Sequence, residues 1–184
     1  MEKDFLPPPN PTKVATKWAL INALVCIILT YVFYFLNVEQ GSAIQYLSFI
    51  PFIAFLFLTQ KEFKDQLGGF ITFGQGFSAG FRYSLFTGLI IGVFTILYMW
   101  ILNPEVLEKS IEVARAEMEA KDNMSSADID KALGYTRSLG PWIGGFSVAV
   151  FYAIAGAVVA LIGAAIFKKE RSPYDLVQDA VDPE

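Results

Sequence analysis

FITFGQGFSAGFRYSLFTGLIIGVFTILYMWIL, from Phe70 to Leu102, carries one charged side chain, Arg82. As one helix it would be roughly 50 Å long, well beyond the ~30 Å of hydrocarbon in a bilayer. The stretch therefore divides. Phe70 to Gly76, with Thr72, Gly74 and Gln75, is expected near the membrane interface, and a span is expected over about 77–102. Within it Gly76, Gly80, Ser84, Gly88 and Gly92 recur at steps of four. In lipid, small residues at this spacing let two helix backbones approach closely. Each step of four turns about 400°, so the ridge drifts by about 40° per step on a straight helix. The helix then either crosses a partner at a right-handed angle or shares the ridge between two partners.

Towards the C-terminus, Asn103-Pro104-Glu105 reads as a helix start, with a capping side chain, a first-turn proline and an acid at the positive end of the dipole. Leu107, Ile111, Ala114 and Met118 fall on one face of this helix. Ser125-Ser126-Ala127-Asp128 resembles a capping box, with Ile129 and Leu133 following on one face. Residues 103–140 are thus expected as two short amphipathic helices outside the membrane. A last apolar run covers 141–167, with Gly145, Ala149, Ala153 and Ala157 as a second small series facing the first. Lys168-Lys169-Glu170-Arg171 ends it, and 168–184 is an acidic tail.

Towards the N-terminus, Gln60 to Gly69 reads as a charged loop. A short run over 43–59 contains Pro51, which should kink it, and a turn over 37–42 joins it to a first run over 18–36. Residues 1–17, with Pro7, Pro8, Pro9 and Pro11, are expected as an extended spacer. The first run is too long for a cleaved signal and reads as a retained anchor. The expected architecture is all-α: an integral membrane four-helix antiparallel bundle with an external helical hairpin between the third and fourth spans.

Composition agrees with this. The 184 residues are 54% hydrophobic and only 17% charged, against about a quarter charged in soluble domains. The net charge of −4 supplies no basic stripe for nucleic acid. Cys26 is the one cysteine and there is no histidine, so neither a disulfide within the chain nor the commonest metal ligand and acid–base group is available. No nucleophile–base pair, metal cluster or cofactor motif can be assembled, and Gly74-Gln75-Gly76 with Gly80 lacks both the spacing and the strand context of a dinucleotide loop. An enzyme is not expected.

Lys13, Lys17, Lys61, Lys64, Lys168 and Lys169 fall on one side if four spans alternate. The positive-inside rule then puts both termini in the cytoplasm and the hairpin outside, with Trp18 at the inner interface and Trp100 and Trp142 at the outer one. Arg82 is expected at the inner boundary, where it can snorkel to headgroups or contact an anionic lipid. No acid lies inside a span, which counts against a proton- or ion-coupled transporter.

Gly68-Gly69-Phe70-Ile71-Thr72-Phe73-Gly74-Gln75-Gly76-Phe77, Asn103-Pro104-Glu105-Val106-Leu107-Glu108 and the Ser-Ser-Ala-Asp-Ile-Asp stretch ending at Asp130 resemble the domain-of-unknown-function 4199 group of small bacterial membrane proteins. The resemblance implies a four-helix membrane protein with no assigned activity and brings no functional residues with it; the expected location is the bacterial inner membrane. Two function classes stand. One is an accessory or scaffolding subunit, bound to a protein partner or to itself among membrane lipids. The other is a small oligomeric transporter, channel or lipid-handling protein, whose polar lining would come from Asn22, Gln45, Ser48, Thr87 and Thr95. Substitution of Gly88 by leucine is expected to disrupt the ridge.

Overall fold

The structure is a computed structural model, and it describes residues 9–36, 38, 43–120 and 125–171. The described chain is helical: α1 (Pro11–Phe35), a 3₁₀ segment (Ala43–Ser48), α2 (Phe49–Gln66), α3 (Phe73–Leu97), a π-helical turn (Tyr98–Leu102), α4 (Pro104–Ala120) and α5 (Ser126–Phe167). Among the described residues three helices are long and apolar enough to cross a membrane: Pro11–Phe35, Phe73–Leu102 and Ser126–Phe167. Their outward side chains are apolar as well. Leu24 is 60% exposed, Phe146 71% and Ile154 64%, a surface that suits hydrocarbon and not water.

The helix ends differ from the sequence reading in ways that local chemistry explains. α1 begins at Pro11, so residues 11–17 are helix and not extended spacer. Asn10 caps it, its Oδ1 accepting from Thr12 N (2.9 Å) and Lys13 N (3.4 Å), and a proline at the first helical position gives up no bond. Pro51 does not kink a span; it lies in the first turn of α2, where its missing N–H is cheap. The stretch read as a charged loop is helical to Gln66. It ends in a Schellman motif, with Gly68 N bonded to Asp65 O and Gly69 N to Lys64 O, and both glycines have positive φ (75° and 84°).

α3 begins at Phe73, earlier than the expected start at 77. Thr72 N donates to Gln75 Oε1 (3.0 Å) and Gln75 N donates to Thr72 Oγ1 (3.3 Å), a reciprocal capping box. Asn103 does not cap α4 through its side chain; its amide donates to the Tyr98 hydroxyl (3.2 Å). The largest correction concerns Pro141. It lies inside α5, so the second hairpin helix and the last apolar run are one helix of 42 residues, roughly 63 Å long. Proline inside a helix is tolerated where neighbouring groups accommodate the freed carbonyl, and Pro141 is fully buried.

The chain forms two compact units, Met1–Thr87 with Tyr152–Glu184, and Gly88–Phe151. In the first, Val14, Phe63, Ile71 and Ala79 form an apolar cluster covered by Trp18, Leu67 and Phe167. In the second, Leu107 and Ile111 of α4 meet Ile129 and Leu133 of α5, flanked by Met99, Ala114 and Met118. The periodic apolar faces of the hairpin are therefore spent on each other. Arg137–Glu108 (2.6 Å) and Arg115–Asp130 (2.6 Å) tie its edges. Asp130, by accepting from Arg115, raises the affinity of that guanidinium for its proton.

Candidate functional site: a buried polar core

Among the described residues of unit one, five polar side chains are completely buried: Asn22, Thr59, Gln60, Ser84 and Thr87. Burying an amide or hydroxyl costs several kcal/mol unless a partner replaces water, so each needs an account. Gln60 is the most informative. Phe52, Leu56 and Phe63 of α2 are buried, and Gln60 falls on the same face one turn after Leu56. Its Nε2 donates to Gly76 O (3.1 Å) of α3 and to Ala160 O (2.9 Å) of α5. One side chain thus joins three helices. Its Oε1 accepts no hydrogen bond.

The glycines around Gln60 make room for it. A Cβ at Gly80 would lie 2.8 Å from Gln60 Nε2 and 2.9 Å from Ala160 Cβ, and one at Gly163 would collide with Gln60 Oε1. Nearby, a Cβ at Gly156 would overlap Ser84 Oγ, and one at Gly76 would meet Ala164 Cα at 3.3 Å. Ser84 Oγ returns to its own helix at Gly80 O (3.0 Å). In unit two the backbones approach closely at Gly92 and Gly145: a Cβ on Gly92 would stand 2.6 Å from Gly145 O and 3.4 Å from Ala149 Cβ. All five ridge residues, Gly76, Gly80, Ser84, Gly88 and Gly92, are buried. On α5, Gly145 is buried, whereas Ala149, Ala153 and Ala157 are half-buried. The face against α3 in unit one is instead Gly156, Ala160 and Ala164, one residue short of where steps of four from Gly145 would fall.

A second polar group lies in the same unit. Tyr83, fully buried and stacked on Phe52 (5.6 Å), donates to Phe52 O (3.0 Å). Tyr152 meets Phe52 edge-on at 4.9 Å. Cys26 Sγ donates to Asn22 Oδ1 (3.9 Å) and lies beside the Tyr152 hydroxyl. Asn22 Nδ2 and Thr87 Oγ1 have no hydrogen-bond partner. Of the other residues expected to line a channel, Ser48 is half-buried and Thr95 bonds its own helix at Ile91 O (2.9 Å). The Gln45 side chain lies outside the described residues.

The ends of these helices carry the charge. In unit one, Glu62 accepts from Lys17 and from Trp18 Nε1 (2.7 Å), linking the start of α1 to the end of α2. Arg82, half-buried, donates to Thr12 Oγ1 (2.6 Å), also on α1. Its partner is a hydroxyl of this chain, which no pattern along the chain singles out. In unit two, Trp100 and Trp142 pack edge to face at 6.1 Å, each more than half exposed. Among the described residues no group of histidine, cysteine, aspartate and glutamate is arranged to hold a metal.

Three apolar helices of spanning length, with small residues and polar groups turned inward and large apolar ones outward, are compatible with a multi-pass membrane protein. Residues 17–169 match the family described as protein of unknown function (DUF4199), and the chain belongs to that family. No curated protein and no solved structure matches it.

Proposed function

We propose that this chain is a non-enzymatic accessory or scaffolding subunit of a larger assembly in a bacterial inner membrane, with four spans, both termini cytoplasmic and the α4/α5 hairpin outside. The observation that carries the reading is the hairpin itself. It is a sealed unit, with its own apolar seam and cross-helix ion pairs, and its second helix continues unbroken into the last apolar run. A hairpin packed along its own seam presents its outer face in one arrangement, as a docking surface requires. With its apolar seam filled, it still exposes Val113 (60%) and Tyr135 (59%).

The four-span topology rests on the ends of unit one. The start of α1 joins the end of α2 through Glu62, and the start of α3 joins the end of α5 through reciprocal Ile71–Lys169 backbone bonds. Arg82 of α3 reaches Thr12 of α1. If α1 and α3 both cross from the same end, the chain between them must return. The 3₁₀ segment with the apolar part of α2, residues 43–59, spans about 30 Å when extended end to end. Lys13, Lys17, Lys61, Lys64, Lys168 and Lys169 then gather on the cytoplasmic side.

The test is a mild-detergent pull-down at native expression, with a photo-crosslinking residue at Tyr135. A stoichiometric companion that crosslinks through the hairpin supports the reading; a homogeneous monomer or homo-oligomer with no crosslinked companion refutes it. A second reading, transport or lipid handling, draws on the unpartnered Asn22 Nδ2, Thr87 Oγ1 and Gln60 Oε1, since buried polar atoms without partners are often completed by water or a ligand.

A further inference from the structure

Where α3 begins and α5 ends, the chain builds an open cavity of about 240 Å³ lined by Phe70, Ile71, Thr72, Gln75, Lys169, Glu170 and Arg171. Its walls are tied together. Ile71 N donates to Lys169 O (2.9 Å) and Lys169 N to Ile71 O (3.0 Å). Ile71 is almost fully buried, so the bridge is anchored in the apolar cluster of unit one. Lys169 Nζ and Arg171 Cζ each lie 5.0 Å from the centre of the Phe70 ring. Two cations are thus held against one aromatic ring.

Two side-chain oxygens of the wall already have partners, one on Gln75 and one on Glu170. Gln75 Oε1 is occupied by Thr72 N and Thr72 Oγ1, which leaves the Gln75 amide nitrogen as the group able to donate. Glu170, the one carboxylate in the wall, pairs with Lys168 (3.3 Å). The depth of the cavity is decisive. α5 ends at Phe167 and α3 starts at Phe73, so the cavity opens where apolar helix gives way to polar chain, the level of phospholipid headgroups.

We propose that this cavity binds a phosphate-bearing anion, with Lys169 and Arg171 as the charge partners, the Gln75 amide as a neutral donor and Phe70 as the ring that holds the two cations in place. Arginine can grip a phosphate through two parallel donors while lysine acts as a point charge. At this depth the phosphate belongs to the headgroup of an anionic lipid such as phosphatidylglycerol; a free phosphate in the aqueous phase offers the same chemistry.

The test uses the full chain in detergent, with native mass spectrometry as the readout. Phosphatidylglycerol and phosphatidylcholine are titrated separately, and inorganic phosphate is added as competitor. Wild type is expected to retain phosphatidylglycerol selectively, and Lys169→Gln with Arg171→Gln to weaken that retention by about tenfold or more. Lys61→Gln with Lys64→Gln removes equal charge from the last turns of α2, outside the cavity, and is expected to leave retention unchanged. Phe70→Leu keeps both charges while removing the aromatic face, and should lower retention with an unaltered thermal midpoint. Displacement of the lipid by millimolar inorganic phosphate would identify soluble phosphate as the source. Equal loss in the two charge-deleted proteins, or no selectivity over phosphatidylcholine, would overturn the proposal.

Discussion

Gly92→Ala puts one methyl group into a close backbone approach in unit two. Its Cβ would stand 2.6 Å from Gly145 O, where ordinary contact begins at 3.4 Å, so the backbones must part by about 0.8 Å. The obstacle is a carbonyl oxygen and cannot rotate away. Overpacking of this kind costs about 1–3 kcal/mol. Replacing a helical glycine by alanine returns about 0.5–1 kcal/mol through backbone entropy. The net expectation is a loss of about 1–2 kcal/mol, a fall of about 3–6 °C in Tm for a chain of this length. Gly134→Ala supplies the control, because nothing lies within 4 Å of a Cβ there, and it should stabilise by up to about 1 kcal/mol. The reciprocal change, Gly145→Ala, meets Gly92 O at 2.6 Å and Ile96 Cγ1 at 2.5 Å. The double variant should cost less than the two singles added, since the first methyl already parts the helices. Thermal unfolding in one detergent, followed by circular dichroism, compares the four variants with the wild type. If Gly92→Ala proves as stable as the wild type, the ridge is not a close contact and the packing argument fails.

Gln60→Leu removes both donors while nearly keeping the volume, and should cost about 1–3 kcal/mol, as interhelical hydrogen bonds in membranes do. Gln60→Glu should cost more, because a carboxyl oxygen then faces Gly76 O and Ala160 O unless it is protonated; equal stability of the three proteins would show that the cross-link contributes nothing. Lys17 and Glu62 are respectively 49% and 28% exposed, so a double-mutant cycle with Lys17→Met and Glu62→Gln should give a coupling below about 1 kcal/mol that shrinks in high salt; a salt-insensitive coupling would mean the pair is sealed from water. In a Cys26→Ala background, a membrane-impermeant maleimide added to intact cells should label Tyr135→Cys and not Lys64→Cys. The opposite pattern would invert the orientation.

The membrane class was legible because it depends on local composition: no hydrocarbon-compatible run such as Phe70–Leu102 can be charged more than once without large cost. The hairpin seam was legible for a related reason, since Leu107, Ile111, Ile129 and Leu133 obey the period of a helix. Other features had a signal that pointed the wrong way. Pro141 reads as the start of the last apolar run, yet α5 passes through it. Lys61, Glu62, Lys64 and Asp65 read as loop, although Phe63 continues the buried face of α2 and Gln60 lies on it. The Thr72–Gln75 capping box was visible in the spacing of its two residues and was missed beside the glycines.

Residue order alone states what each side chain needs from its surroundings: lipid for the large apolar ones, a close neighbour for the small ones, a partner for every buried polar group. Which neighbour meets each need was decided only by the tertiary structure. A ridge at steps of four drifts around a helix whose period is 3.6, so the residues facing it on α5 shift register, from Gly145 and Ala149 in unit two to Gly156, Ala160 and Ala164 in unit one. Gln60 finds carbonyls of residues 16 and 100 positions away. Hydrogen bonds and backbone contacts fall off within an ångström or so of their ideal length, and no pattern along the chain encodes a distance between helices.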